Sequence, residues 1–120
     1  MNWIQRIMSM LGLTSNFKTV SVQDLKAASN SSNLILDVRN PQEFISGHVQ
    51  GAKNIAVSEL GSRLSEIPTD KIIFVICQSG MRSRTASAIL GDNGRTNVNN
   101  VAGGTSAWIA AGFPTVKGKR

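Results

Sequence analysis

The chain has 120 residues, 41% of them hydrophobic, and a formal net charge of +6 from 13 Lys plus Arg against 7 Asp plus Glu. That length fits one domain, which buries roughly two-thirds of its unfolded surface and so builds a core without disulfide or metal. One cysteine and one histidine exclude an internal disulfide and argue against a structural zinc site, and scattered basic residues with no tyrosine argue against nucleic-acid binding, leaving small anions as the expected partners.

The first segment, MNWIQRIMSMLGL, places Trp3, Ile4, Ile7, Met8 and Leu11 at helical spacing, with Gln5, Arg6 and Ser9 opposite. It is too short to span a bilayer, which takes about 20 apolar residues. Its interrupted apolar run makes a poor signal peptide. The expectation is an amphipathic helix and linker over residues 1–16. Residues 1–13 would pack on the domain or another chain, or lie weakly on a membrane surface; a signal or anchor role stays open.

From Phe17 strands and helices alternate. KTVSV (18–22) reads as a strand, with Ser21 able to cap a helix over VQDLKAAS. NLILDV (33–38) is an apolar run suited to a strand buried on both faces. Asn40 caps a helix that starts at Pro41 and has Glu43 in its first turn; Gly47 and Gly51 break it. AKNIA is a short strand. SELGSRLSEI, from Ser58, puts Leu60, Leu64 and Ile67 on one helical face before Pro68. KIIFVIC (71–77) is the most apolar run and the expected central strand. RSRTASAIL is a helix ended by Gly91 and Gly94, NVNNV (97–101) a last strand, and SAWIAAG a helix closed by Gly112 and Pro114. The fold class is therefore α/β: a mostly parallel sheet with helices on both faces, whose ligands bind outside the carboxyl ends of the strands.

Cys77 lies at such an end, in FVICQSGMRSRTASAIL. A thiol acts as a nucleophile only when ionised. Three features favour the anion here. The following helix start offers free N–H groups, Gly80 lets the backbone curl into a nest, and Arg82, with Arg84, adds positive charge. The competing reading is an inert cysteine that simply ends a strand. A Cys/His hydrolase stays open, although the single histidine, His48, reads better as a turn-stabilising hydrogen bonder.

In order and spacing these elements resemble the rhodanese-like domains. CQSGMRS is similar to that family's active loop. LILDVRNPQEFISGHVQGAKNIAVSEL carries its D-V-R, E-F, G-H and G-A-x-N-I elements, and VNNVAGGTSAWIAAGFP its G-G, tryptophan and G-x-P ending. The resemblance covers Lys18 to Thr115. It implies a five-stranded parallel sheet in a rhodanese domain over residues 17–116, followed by a basic tail at 117–120. The N-terminal helix lies outside the minimal domain.

The resemblance also implies sulfur transfer through a Cys77 persulfide, with Gln78, Ser79, Gly80, Met81, Arg82 and Ser83 forming the anion-binding loop. Arg82 would hold the donor, shape the loop through a salt bridge, or both. Asp37 and Arg39 would support the site, and Trp108 would pack in the core. Four residues separate Cys77 from Arg82, where a related group of cysteine phosphatases has five, so the smaller ring of N–H groups suits sulfur better than phosphate. Two positions depart from the pattern: Ala56 stands where proline often follows N-I, and Arg95 where an aromatic residue often follows the glycine.

The leading expectation is a thiosulfate or persulfide sulfurtransferase, needing no cofactor and no metal, with a thiol or cyanide as acceptor. The alternatives are a persulfide-carrying relay protein that works with a partner and a non-catalytic interaction module. A reactive single thiol suggests a reducing cytoplasm, with peripheral membrane attachment through residues 1–13 as the open variant.

Overall fold

In the computed structural model, residues 3, 4, 7, 16–30 and 32–120 are described. Five strands, β1 (Lys18–Val20), β2 (Leu34–Asp37), β3 (Lys53–Asn54), β4 (Ile73–Ile76) and β5 (Val98–Val101), form one parallel sheet in the order β1-β5-β4-β2-β3. Helices α1 (Val22–Ala28), α2 (Pro41–Ser46), α3 (Val57–Leu60) and α4 (Met81–Asp92) link successive strands, and α5 (Gly104–Ala110) follows β5. A 3-10 turn covers Leu64–Glu66.

Both faces of the sheet are covered, which explains the uninterrupted apolar runs. In β4 the side chains of Ile73 and Val75 join Leu36, Leu60, Ala86 and Leu90 beneath α3 and α4. Those of Phe74 and Ile76 join Leu25, Ile35, Phe44 and Trp108 beneath α1, α2 and α5. The helix starts follow local capping. Ser21 accepts from the Asp24 N–H while Asp24 accepts from the Ser21 N–H, each at 3.0 Å. Asn40 and Glu43 do the same at the start of α2, where Pro41 fills the first helical position.

One expected element is different. The helix expected from Ser58 to Ile67 is a four-residue helix followed by the 3-10 turn. The backbone bonds here close after three residues, Ser62 to Glu59, Arg63 to Leu60, Glu66 to Arg63 and Ile67 to Leu64, and Arg63, with φ −121°, leaves the helical conformation between the two pieces. The Arg95 guanidinium adds a charged donor from outside, bonding the carbonyls of Leu64 and Ile67 at 2.6 Å each. Arg95, which departs from the family pattern, thus ties this segment down.

Trp3, Ile4 and Ile7 are helical and exposed. Met8 and Leu11, which complete the expected apolar stripe, and most of the expected 1–16 unit lie outside the described residues. No helix among the described residues is long and apolar enough to cross a membrane.

Candidate active site

β4 ends at Ile76 in the middle of the sheet, so Cys77 emerges at its carboxyl end with strands on either side. The thiol is 1% exposed. Gly80, with φ +110°, then reverses the chain and α4 begins at Met81. This left-handed residue turns the loop back over its own cysteine, and the Gly80 N–H donates to Cys77 Sγ at 3.0 Å. The thiol donates to Ser83 Oγ at 3.3 Å, and that hydroxyl donates to the Gly80 carbonyl at 3.2 Å.

Burial pushes the thiol up. The Ser83 hydroxyl and the backbone N–H groups of Ser83, Gly80 and Ser79 pull it down, and together they win, so Cys77 ionises below the ordinary thiol range. Once the sulfur is charged, the Ser83 hydroxyl gains by turning its proton from Gly80 O to Sγ, because a charged acceptor makes the stronger bond.

The loop is braced from both flanks. Asp37 and Arg39, 0% and 2% exposed, form a buried ion pair at 2.8 Å. Arg39 also donates to the Gln78 side chain at 3.0 Å and to the Gly47 carbonyl at 2.8 Å. Asn54 of β3 donates to the carbonyls of Asp37 and Arg39. On the other flank Gln78 Nε2 reaches Ser106 Oγ at 2.9 Å. Of the two residues expected to support the site, Arg39 meets the loop at Gln78 and Asp37 acts through Arg39, with no contact to sulfur among their hydrogen bonds.

Arg82 is engaged outside the ring. Its two terminal nitrogens bind the Glu43 carboxylate at 2.7 and 3.0 Å, a bidentate pair that is part-exposed. The Arg82 side-chain bond is the main influence holding the Glu43 carboxyl below its ordinary value. Ser79, Met81 and Arg84 are exposed. A cavity of about 220 Å³ borders Ser79, Gly80, Met81 and Arg84. The larger cleft, about 520 Å³, lies beside α2 and β3 and includes no loop residue.

His48 is buried. Its Nδ1 bonds the Phe44 carbonyl at 2.7 Å, and its backbone pairs with Val116, away from Cys77 in every recorded bond. Trp108 sits in the core and donates to the Pro114 carbonyl at 2.8 Å. Among the described residues no group of three His, Cys, Asp or Glu side chains could hold a metal ion.

Sequence reasoning missed four contributors. Glu43 and Asn54 belong to the E-F and G-A-x-N-I elements of the sequence, which assign neither of them a place in the site. Thr105 and Ser106 at the start of α5 donate their N–H groups to the carbonyls of Cys77 and Gln78 at 2.8 and 3.0 Å. The signal for this last pair was the Gly103-Gly104 doublet just before them.

The family model described as "Rhodanese-like domain" matches residues 21–111. The chain is 42% identical to the uncharacterized protein YqhL of Bacillus subtilis over 91 residues, covering 76% of this chain and 71% of that one. It is 30% identical to the thiosulfate sulfurtransferase GlpE of Ectopseudomonas mendocina, covering 84% and 92%. Among solved structures, a rhodanese-related protein from Thermoplasma volcanium superposes with a TM-score of 0.77 at 34% identity, covering 83% of this chain and 98% of that one.

Proposed function

The chain belongs to the rhodanese-like domain family, and from that premise we propose that it is a sulfurtransferase that carries sulfane sulfur as a Cys77 persulfide. The observation that supports this most is the ring itself: Cys77 Sγ sits inside it with the Gly80 N–H at 3.0 Å and Ser83 Oγ at 3.3 Å. Backbone donors fixed around an anion need no reorganisation as charge moves onto a second sulfur atom.

With thiosulfate, the Cys77 thiolate attacks the outer sulfur. A new S–S bond forms, the sulfur–sulfur bond of thiosulfate breaks, and sulfite leaves with that electron pair. The negative charge then rests on the terminal persulfide sulfur. Cyanide or a thiolate next attacks that sulfur and restores the Cys77 thiolate. The protein is covalently loaded and unloaded in two half-reactions, with no cofactor. Thiosulfate as donor follows the GlpE relatives, which are named for it. A reducing cytoplasm belongs to the same proposal, because the thiol must stay available.

The test is thiocyanate formation from thiosulfate and cyanide. Turnover in the wild type and its loss in Cys77→Ser is the expected result; equal rates in both would refute the reading. One observation favours a second version, a relay in which a partner protein supplies the sulfur. Glu43 occupies both terminal nitrogens of Arg82, so a small dianion meets a neutralised guanidinium. Stable gain of one sulfur atom on Cys77, with feeble turnover of thiosulfate, would select the relay.

A further inference from the structure

Each trans peptide carries its C=O and the next residue's N–H on opposite sides, so a bond that fixes one fixes the other. The first turn of α5 holds two consecutive carbonyls of the active loop. Thr105 grips the Cys77 carbonyl twice, through its N–H at 2.8 Å and its Oγ1 at 3.0 Å. The Ser106 N–H holds the Gln78 carbonyl at 3.0 Å. With the Gln78 carbonyl drawn toward α5, the N–H of Ser79 is turned the other way, toward the ring.

This approach is possible only without a side chain at Gly104. A Cβ there would collide with the Cys77 carbonyl oxygen and lie 2.7 Å from the carbonyl carbon and oxygen of Gln78. The backbone of the α5 turn therefore lies directly against the backbone of the loop. Both carbonyls would be wrong for an anion cradle if they faced inward, since each would repel the sulfur that the N–H groups attract.

We propose that the first turn of α5 is a positioning element for the reaction: Thr105 holds the Cys77 carbonyl out of the ring, the Ser106 N–H holds the Gln78 carbonyl out and with it the Ser79 N–H in, Gly104 lets both come close, and together they set how readily Cys77 ionises. Thr105 does not touch the substrate. It acts through the peptide it holds, 28 residues away in sequence. The proposal rests on the reading of Cys77 as the reacting group, and extends it to a part of the chain that carries no chemistry of its own.

The test is the rate of Cys77 alkylation by iodoacetamide as a function of pH, on the full chain. Thr105→Val keeps the shape and N–H but removes Oγ1. Its midpoint is expected to rise by about half a pH unit, the scale of one weakened hydrogen bond. Thr105→Ser, which retains the hydroxyl, restores it. Gly104→Ala wedges the two backbones apart and raises the midpoint by about one unit. Gly112→Ala is the control for backbone strain alone, because Gly112 also has a left-handed φ, +82°, but open space around it. It leaves the midpoint unchanged.

An unmoved midpoint in Thr105→Val, or an equal shift in Gly104→Ala and Gly112→Ala, overturns the proposal. If Gly104→Ala does not fold, the Thr105 pair decides alone: a shift in Val that Ser reverses supports the clamp, and no shift refutes it. Alkylation needs no sulfur donor. Absent sulfur transfer would thus defeat the sulfurtransferase reading, and an unmoved midpoint the clamp.

Discussion

Cys77 is subject to opposed influences, and the balance between them is the chemistry. Burial favours the neutral thiol; the Ser83 hydroxyl and three backbone N–H groups favour the thiolate and prevail. The alkylation midpoint is therefore expected below that of an unperturbed thiol. Ser83→Ala removes the strongest of the favourable groups, and its midpoint should move upward, with the rate below that midpoint falling accordingly. The sign carries over to stability. A thiol whose folded value is depressed contributes stability in full above its unfolded value and loses it as pH falls through the folded value. Arg82 gives a second residue-scale prediction. Glu43→Gln keeps a side chain able to cap α2 but releases the guanidinium. The KM for thiosulfate should drop by up to about fivefold, the scale of a part-exposed ion pair. A KM equal to wild type would mean that the guanidinium does not meet the donor.

At the scale of elements, local signals were read well wherever the partner lies a few residues away. Ser21 with Asp24 and Asn40 with Glu43 are capping boxes written within four residues, and both helices start where those residues stand. The segment after Ala56 shows the limit. Leu60, Leu64 and Ile67 have helical spacing, yet the chain breaks at Arg63 into a helix and a 3-10 turn, and Arg95, about thirty residues on, holds the Leu64 and Ile67 carbonyls of the second piece. Arg95→Ala should cost about 1–3 kcal/mol in urea unfolding, the desolvation left by carbonyls that lose a charged donor. The other departure from the family pattern has a benign cause. Ala56 has φ −57°, within the range that proline itself adopts. Ala56→Pro is expected to raise the stability by about 0.4–1 kcal/mol through the unfolded state, as a higher urea midpoint. A fall would show that the backbone at this position cannot accept the ring.

At the scale of the molecule, the sheet order β1-β5-β4-β2-β3 puts β4 at the centre and so puts Cys77 between the ends of its neighbours. The apolar runs were legible as buried strands, because only a strand covered on both faces reads as unbroken hydrophobicity. Leu36 is fully buried between β4 and the helices above it, and Leu36→Ala should cost about 2–5 kcal/mol of unfolding free energy with the cavity it leaves.

By itself the sequence determined the strand–turn–helix around Cys77, the four-residue gap to Arg82 and the caps of the first helices. Each of these depends on residues joined by a short stretch of chain, where covalent geometry limits the outcomes. Only the tertiary structure decided that Glu43 takes Arg82, that Arg39 and Ser106 meet at Gln78, and that Gly104 lets Thr105 grip the Cys77 carbonyl. Those partners lie 28 to 39 residues apart and are brought together by the order of strands in the sheet. Strand order is set by which faces can be buried together, and no spacing along the chain records it.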